Sequence, residues 1–240
     1  MTTPPATARR DVLPLAGLLM VPVALLLGLV LAPADAVQGD AQRLMYLHVP
    51  AAWSTFGCFF VVLVASVRYL RARTVGADAL ARGAAEVGVG LTALTLATGS
   101  VWGALTWGTW WVWDARVTTT VAMGLVYVIY LGSRALATGP RGRTVAAALG
   151  AAGFVVVPLV HFSVLWWRTL HQPPTILAPG TGMPIDATMA AALGAAVLTA
   201  SLLTAWGVRE RRRTWLARAR VPAVPQERPA VRVEGVVEGT

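Results

Sequence analysis

The sequence predicts an all-α, polytopic integral membrane protein with six transmembrane helices and both chain termini in the cytoplasm. Three observations predict this fold class. The 240 residues are 56% hydrophobic and only 13% charged, whereas an ordinary soluble domain has roughly 25% charged residues. The apolar residues form six runs, each near the roughly 20 residues that a helix needs to cross a bilayer. The basic residues, all of them arginine, are concentrated between particular runs.

Each apolar run is interpreted as a helix, because in lipid a helix satisfies every backbone polar group of such a sequence. The first run leads into a charged loop, and we interpret it as a span and not as a cleaved signal peptide. Residues 1–213 then form one domain, and 214–240 are predicted to be a cytoplasmic tail without stable structure. The predicted spans are residues 13–31, 49–67, 84–102, 117–136, 144–161 and 187–208.

The arginine distribution predicts the orientation of the chain. Seventeen of the twenty arginines precede the first run, follow the second or the sixth, or lie at or beyond the end of the fourth. Only Arg43, Arg116 and Arg168 fall in the other connections. Connections rich in arginine stay in the cytoplasm, so the net charge of +9 is mostly a topology signal. This explanation argues against a nucleic-acid-binding role.

The connection between the third and fourth spans carries the stretch "WGTWWVWDAR", residues 107–116. The orientation places its four tryptophans on the outer, non-cytoplasmic face. An aromatic belt at the membrane interface is one explanation, but a belt spreads its tryptophans over many helices and both interfaces. A platform for a flat apolar ligand is the other explanation, and the sequence leaves both open. The four tryptophans are Trp107, Trp110, Trp111 and Trp113.

Two histidines fall at predicted helix ends on the same outer face. His48 is two residues before Pro50, and proline is favoured in the first turn of a helix. His171 is followed by a pair of prolines that ends a helix. Two such imidazoles can reach a metal from opposite sides, although a solvated interfacial histidine is the simpler alternative. His161 lies inside the fifth span, where we expect a helix–helix hydrogen bond.

The outer face also carries charged residues beside the aromatic ones. An amphipathic ligand with flat apolar rings and two carboxylates suits tryptophan, histidine and arginine together, and haem is such a ligand. Asp114 has two simpler explanations, as the N-cap of the fourth span or as an ion-pair partner of Arg116. The single cysteine, Cys58, excludes a C-x-x-C-H attachment site, so haem would be held noncovalently.

The stretch "WGTWWVWDAR" resembles the W-G-x-x-W-x-W-D signature of the haem-handling membrane proteins of cytochrome c maturation. The flanking "YLHVPAAW" and "HFSVLWWRTLHQ" are similar to one branch, CcmC, the haem exporter protein C family, over about residues 13–213. The resemblance implies that His48 and His171 ligate the iron of a noncovalently bound haem b. The tryptophans of the motif would form a platform for the haem, and Asp114 is the last residue of that motif. The resemblance also implies the bacterial cytoplasmic membrane, with the haem site on the periplasmic face.

The resemblance further implies a set of protein partners. Haem is presented to a membrane-anchored chaperone, CcmE, which attaches it covalently. The ABC-type subunits CcmA and CcmB use ATP to release the loaded chaperone, and a small subunit, CcmD, assists. Our hypothesis for the site itself is axial ligation of iron by the two histidines, with Arg43 and Arg116 on the propionates and one haem edge open to a partner.

Three other function classes are weighed against this hypothesis. No proton-transfer or nucleophilic machinery is evident, which favours a carrier over an enzyme. A haem-transporting permease is an alternative, but no Walker motif occurs, so its ATPase would be another chain. A b-type electron-transfer cytochrome needs histidine pairs in the membrane core, where only His161 approaches. Glu86, the one charged residue that could line a path through the spans, is interpreted as an interface residue.

Overall fold

The structure is a computed structural model that describes residues 12–137, 139–171 and 185–220. Helices account for nearly all of these residues. Within these residues, six helical segments are long and apolar enough to cross a membrane, which confirms the predicted all-α fold with six spans; α5 and α6 together form the fifth. The cytoplasmic location of both termini stays a prediction. The elements are α1 (Val12–Leu25, continued by the π-helix Leu26–Leu31), the 3₁₀-helix Asp40–Leu44, α2 (Met45–Ala72), α3 (Val75–Trp107), α4 (Ala115–Leu136), α5 (Gly139–Ala152), the 3₁₀-helix Gly153–Val155, α6 (Val156–Trp166) and α7 (Ala187–Arg220).

Most of these helices are longer than the apolar runs that predicted them. Helix α2 begins at Met45, so that His48 lies inside its first turn and not just before it. Helix α3 extends beyond the predicted span at both ends. Hydropathy detects only the part of a helix that lies in hydrocarbon, whereas the helical hydrogen bonds continue into the interface wherever good helix formers follow.

The last helix extends through the predicted start of the tail at residue 214 and ends at Arg220. Trp215, in this extension, donates its indole N–H to Glu86 of α3 at 3.1 Å. Arg211 donates to the same carboxylate at 2.6 Å. These contacts to α3 hold residues 214–220 in helix, and they account for Glu86 as an interface residue. The predicted tail from 221 onward lies outside the described residues.

Helix α3 ends beside a glycine whose backbone has the left-handed conformation, close to where the tryptophan stretch begins. Gly108 has φ 72°, a conformation that glycine adopts without the steric cost that a Cβ imposes. The chain leaves the helical path there and reaches Asp114, whose side chain accepts from the Val117 N–H and caps α4. The N-cap expected for Asp114 is therefore confirmed. The tryptophan stretch therefore runs from the last residue of α3, through a short connection, to the first turn of α4.

Small residues allow the central helices to approach closely. Phe59 of α2 stacks on Tyr127 of α4 with ring centroids 3.6 Å apart, and both side chains are fully buried. Gly88 of α3 lies against Phe59, so that a Cβ at this position would be only 2.6 Å from its ring. Association of helices in lipid relies on this kind of packing, because burial from water contributes little there.

The fifth span is interrupted near its middle. A 3₁₀ turn, Gly153–Val155, separates α5 from α6. Pro158 follows it and lacks the N–H that would bond to the Phe154 carbonyl in a continuous α-helix. Gly153 also packs so closely on Val126 of α4 that a Cβ would be 2.7 Å from that side chain. The missing donor and the close helix contact explain why the helix changes its winding here.

We expect Gly88→Leu to destabilise the bundle, because the added side chain overlaps Phe59 and overpacking costs roughly 1–3 kcal/mol. Gly90→Leu is the matched control, since a Cβ on Gly90 has no atom within 4 Å among the described residues. Thermal unfolding of the purified protein in detergent measures the difference. A Gly88→Leu variant as stable as the Gly90→Leu variant would contradict the packing described for α2 and α3.

Candidate ligand site at the tryptophan end of the bundle

A cavity of about 790 Å³, counting space open to solvent, lies at the bundle end where α3 ends and α4 begins. We call it the tryptophan cavity. Its wall brings together seven of the nine predicted site residues: His48, Trp107, Trp110, Trp111, Asp114, Arg116 and His171.

The ring of His48 is held on one side by α3. Its Nδ1 is 3.1 Å from the hydroxyl oxygen of Thr98. The Thr98 hydroxyl donates its hydrogen to the Leu94 carbonyl at 2.8 Å, so its oxygen accepts and the hydrogen of the contact belongs to His48 Nδ1. This tautomer leaves the lone pair on Nε2, which is available to a metal.

Thr98 and Gly99 are site residues that the sequence reasoning missed. Gly99 lies against the His48 ring, and a Cβ there would be 2.9 Å from its Cε1 atom. Both belong to a face of α3 on which small and hydroxyl residues recur every three or four positions. That spacing is visible in the sequence and could have been noticed, although it does not reveal which helix the face contacts. The lining members of this face are Thr92, Thr95, Gly99 and Gly103.

The second histidine is held by a carboxylate. His171 Nδ1 is 3.0 Å from Oδ2 of Asp114, and the same oxygen accepts from the Leu170 N–H at 3.3 Å. Asp114 Oδ1 accepts from the Val117 N–H at 2.8 Å. The aspartate side chain is only 7% exposed, so little water competes for these bonds. The alternative expectation, an ion pair of Asp114 with Arg116, is replaced by this contact with His171.

The protonation states of this pair follow from burial and from their hydrogen bonds. Burial lowers the pKa of His171 and Arg116 lowers it further, so that this pKa lies below its ordinary value although the neighbouring Asp114 carboxylate raises it. Burial raises the pKa of Asp114, but the Val117 N–H and the His171 ring outweigh it, so that this pKa lies below its ordinary value. At neutral pH the pair is therefore an aspartate beside a neutral imidazole, which donates from Nδ1 and has its lone pair on Nε2.

The aromatic wall consists of three of the four predicted tryptophans. Trp107, at the end of α3, meets His171 edge-on with ring centroids 5.1 Å apart. Trp110 and Trp111 follow in the connection, and Trp110 remains 65% exposed. Trp113 does not line the cavity; it packs edge-on against Trp111 with centroids 5.2 Å apart. Large aromatic surface thus remains uncovered on and around this wall.

The two arginines expected at the site differ in position. Arg116, in the first turn of α4, lines the cavity and donates to the His161 carbonyl at 3.2 Å. Its Nε is buried and has no hydrogen-bond partner among the described residues. Arg43 does not line the cavity, because it donates to Asp40 at 2.9 Å and to the Gly28 carbonyl at 2.7 Å. Arg43 thereby connects the end of the first span to the start of the second.

His161 makes ring contacts in place of the helix–helix hydrogen bond expected from its side chain. Its imidazole meets Trp53 and Phe56 of α2 edge-on, at centroid distances of 6.3 and 6.4 Å. Its backbone carbonyl accepts from Arg116. The ring therefore packs α6 against α2 and does not line the tryptophan cavity.

The cavity combines three kinds of chemistry. Two imidazoles each have Nδ1 fixed by a neighbour and Nε2 as lone-pair donor, the arrangement that second-sphere partners impose on metal-binding histidines. Indole rings offer flat apolar surface. One buried guanidinium offers a donor to an anion. A flat apolar ligand that carries both a metal and an acidic group would use all three.

Comparisons with known proteins identify the family of the chain. The family model "Heme exporter protein C" matches residues 6–226. A heme exporter protein C from Escherichia coli is 34% identical over 217 residues, which are 85% of this chain and 86% of that protein. One from Bradyrhizobium diazoefficiens is 40% identical over 157 residues, 65% of this chain and 59% of that protein.

A relative from Marchantia polymorpha is described as a cytochrome c biosynthesis ccmC-like mitochondrial protein. It is 38% identical over 164 residues, which cover 68% of this chain and 70% of that protein. The matched family model covers most of the chain, including all six spans and the tryptophan cavity. The chain is therefore a multi-pass membrane protein that belongs to the haem exporter protein C family, CcmC.

Proposed function

We propose that this protein binds haem noncovalently in the tryptophan cavity and presents it to a partner protein during cytochrome c maturation. The observation that carries the proposal is the pair of imidazoles in one cavity wall. The Nδ1 of His48 is fixed by Thr98 and that of His171 by Asp114, which leaves two Nε2 atoms as axial ligands for iron. Histidine is a common ligand of haem iron in proteins.

The other lining groups fit the remaining parts of haem. The porphyrin has the flat apolar faces that Trp107, Trp110 and Trp111 would cover. The propionates are carboxylates, and Arg116 has a buried Nε without a partner among the described residues. Of the two arginines expected at the propionates, Arg116 is the one we retain, because the guanidinium of Arg43 is already bound to Asp40 and Gly28.

The binding we propose serves delivery and not storage. Ligation by side chains is reversible, and the exposure of Trp110 and Trp113 supports a site with one side open to another protein. We propose the membrane-anchored chaperone CcmE as the receiver, the ABC-type subunits CcmA and CcmB with the small subunit CcmD as further partners, and the outer face of the bacterial inner membrane as the location. The concentration of arginines at the opposite end of the spans supports this orientation.

Two other functions have less support. A b-type electron-transfer cytochrome would need a histidine pair on facing helices in the core, and among the described spans only His161 lies there, packed between aromatic rings. A haem-transporting permease would need a path along the bundle. The charged groups Glu86 and Asp78 are instead paired with arginines near one bundle end, which favours a carrier over a permease.

We expect the double substitution His48→Ala and His171→Ala to abolish the Soret absorption of the purified protein, because both axial ligands are removed. His161→Ala is the matched control and should retain haem, since its ring lies outside the cavity wall. Absorption spectra with a pyridine haemochrome assay quantify haem per chain, and size-exclusion chromatography verifies folding. A normal haem content in the double variant would disprove the ligand assignment.

Asp114→Asn separates the two roles of this residue. Asparagine also caps helices well, so the melting temperature should stay near that of the wild type. The amide stabilises a ligating imidazole less than the carboxylate does, and haem affinity should decrease about 10–100-fold. Haem titration followed by absorption measures the affinity. Asp114→Ala should lose the same affinity and, in addition, about 1 kcal/mol of stability. Unchanged affinity in Asp114→Asn would contradict the role given to the carboxylate.

Arg116→Gln should weaken haem binding about tenfold through the loss of a charge-assisted hydrogen bond. Arg43→Gln, the control, should leave the affinity of the folded protein unchanged. The dimethyl ester of haem supplies a second arm, because its carboxylates are blocked. Wild type and Arg116→Gln should bind the ester equally well, and a difference that persists with the ester would show that Arg116 does not act on the propionates.

A further inference from the structure

A second cavity lies at the opposite end of the bundle from the tryptophan cavity. It encloses about 780 Å³, counting space open to solvent. Its wall is formed by the start of α3, the end of α4, the start of α5 and the end of α7. Four arginines line it, and we call it the arginine cavity: Arg82, Arg134, Arg143 and Arg218.

The carboxylates near this cavity do not balance its arginines. Asp78 is the one acidic residue in the wall, and it pairs with Arg134 at 2.7 Å. Glu86, just outside the wall, is shared between Arg82 at 3.5 Å and Arg211 at 2.6 Å. Neither Arg143 nor Arg218 has a carboxylate partner within the described part of the chain. The wall therefore carries an excess of positive charge that calls for an anion.

One buried donor in the wall is also left without an acceptor in the described part of the chain. The Arg134 side chain is only 5% exposed, and its Nε has no hydrogen-bond partner among the described residues. The Nε of Arg82 is different, because it faces Oε1 of Glu86 at 3.5 Å in an ion pair. A buried donor without an acceptor costs free energy. An anion in the cavity would offer the Nε of Arg134 an acceptor.

An indole orients the guanidinium groups. Arg82 lies over the ring of Trp215, with its guanidinium carbon 3.3 Å from a ring centroid, and Arg218 lies at 4.5 Å. The indole N–H of Trp215 is bound to Glu86 at 3.1 Å, which fixes the ring. Stacked guanidinium groups keep their N–H edges free for an anion. The arginine cavity is thus organised and not merely a set of solvated charges.

The position of the cavity indicates where the anion comes from. All four wall segments are ends of membrane-spanning helices, so the cavity lies near the level at which lipid headgroups meet the protein. Guanidinium groups match the oxygens of a phosphate in a bidentate manner. Basic pockets between transmembrane helices at this level are a recognised form of headgroup site.

We propose that the arginine cavity binds a phosphate group, supplied by the headgroup of an anionic membrane lipid. The lipid phosphate would accept from the arginines that have no acceptor within the described chain, and it would connect α5 and α7 to α3 and α4. This proposal is independent of haem binding, since the two cavities lie at opposite ends of the bundle.

The test compares two double variants of the full-length protein. Arg143→Gln with Arg218→Gln removes two cavity arginines that have no acidic partner among the described residues. Arg141→Gln with Arg220→Gln is the matched control, because these exposed arginines lie on the same two helices and outside the wall. Asp78 and Arg134 are left unchanged, so that no buried charge loses its partner.

Binding is measured by native mass spectrometry of the purified protein with added phosphatidylglycerol, phosphatidylcholine or inorganic phosphate. We expect phosphatidylglycerol to bind the wild type and the control variant alike, and the cavity variant about tenfold more weakly. If inorganic phosphate binds as tightly as the lipid, and its binding is weakened equally in the cavity variant, the result supports a phosphate site. The ligand of that site would then be a free anion and not a lipid.

Two results would overturn the proposal. Equal binding of phosphatidylglycerol by both double variants would show that the cavity arginines do not contact the lipid. Loss of a co-purifying protein subunit from the cavity variant, without any difference in lipid or phosphate binding, would show that the cavity is a protein contact. Circular dichroism and thermal unfolding of both variants verify that a loss of binding does not come from misfolding.

Discussion

The tryptophan cavity depends on how Asp114 uses its two carboxylate oxygens. One accepts from the Val117 N–H and fixes the start of α4, and with it the position of Arg116. The other accepts from His171 and from the Leu170 N–H, and so fixes the segment that follows α6. Because the side chain is almost fully buried, these bonds are little weakened by water. A single side chain therefore holds a helix start, a loop and an imidazole in one arrangement.

Counting membrane crossings was sufficient to predict most of this site from the sequence. It brought His48, the tryptophan stretch and His171 to one face, and all three line one cavity. The roles of Thr98 and Gly99 could not be predicted, because they depend on how α3 is rotated against α2. The different position of Arg43 could not be predicted either, since its acceptor is the Gly28 carbonyl in the π-helical end of the first span. Helix ends were also misjudged, because hydropathy does not detect the helical turns beyond the hydrocarbon.

The two ends of the bundle use the same side-chain types for different purposes. At one end tryptophans leave their rings uncovered and histidines provide lone pairs. At the other end Trp215 is covered by guanidinium groups and bound to Glu86. Helix α3 contributes to both ends, with Arg82 near its start and Thr98, Gly99 and Trp107 toward its end. Because α3 is continuous over 33 residues, it fixes the spacing between the two cavities.

The supports of the two imidazoles differ in stiffness. His48 belongs to a helix of 28 residues that is packed along much of its length, so its backbone moves only with that helix. His171 follows the end of α6, and its ring is held by a hydrogen bond to one carboxylate and an edge contact with one indole. Under the proposed function, the side of the cavity with the weaker support is the one that would yield first. A receiving protein that competes for the ligand would then displace His171 more readily than His48.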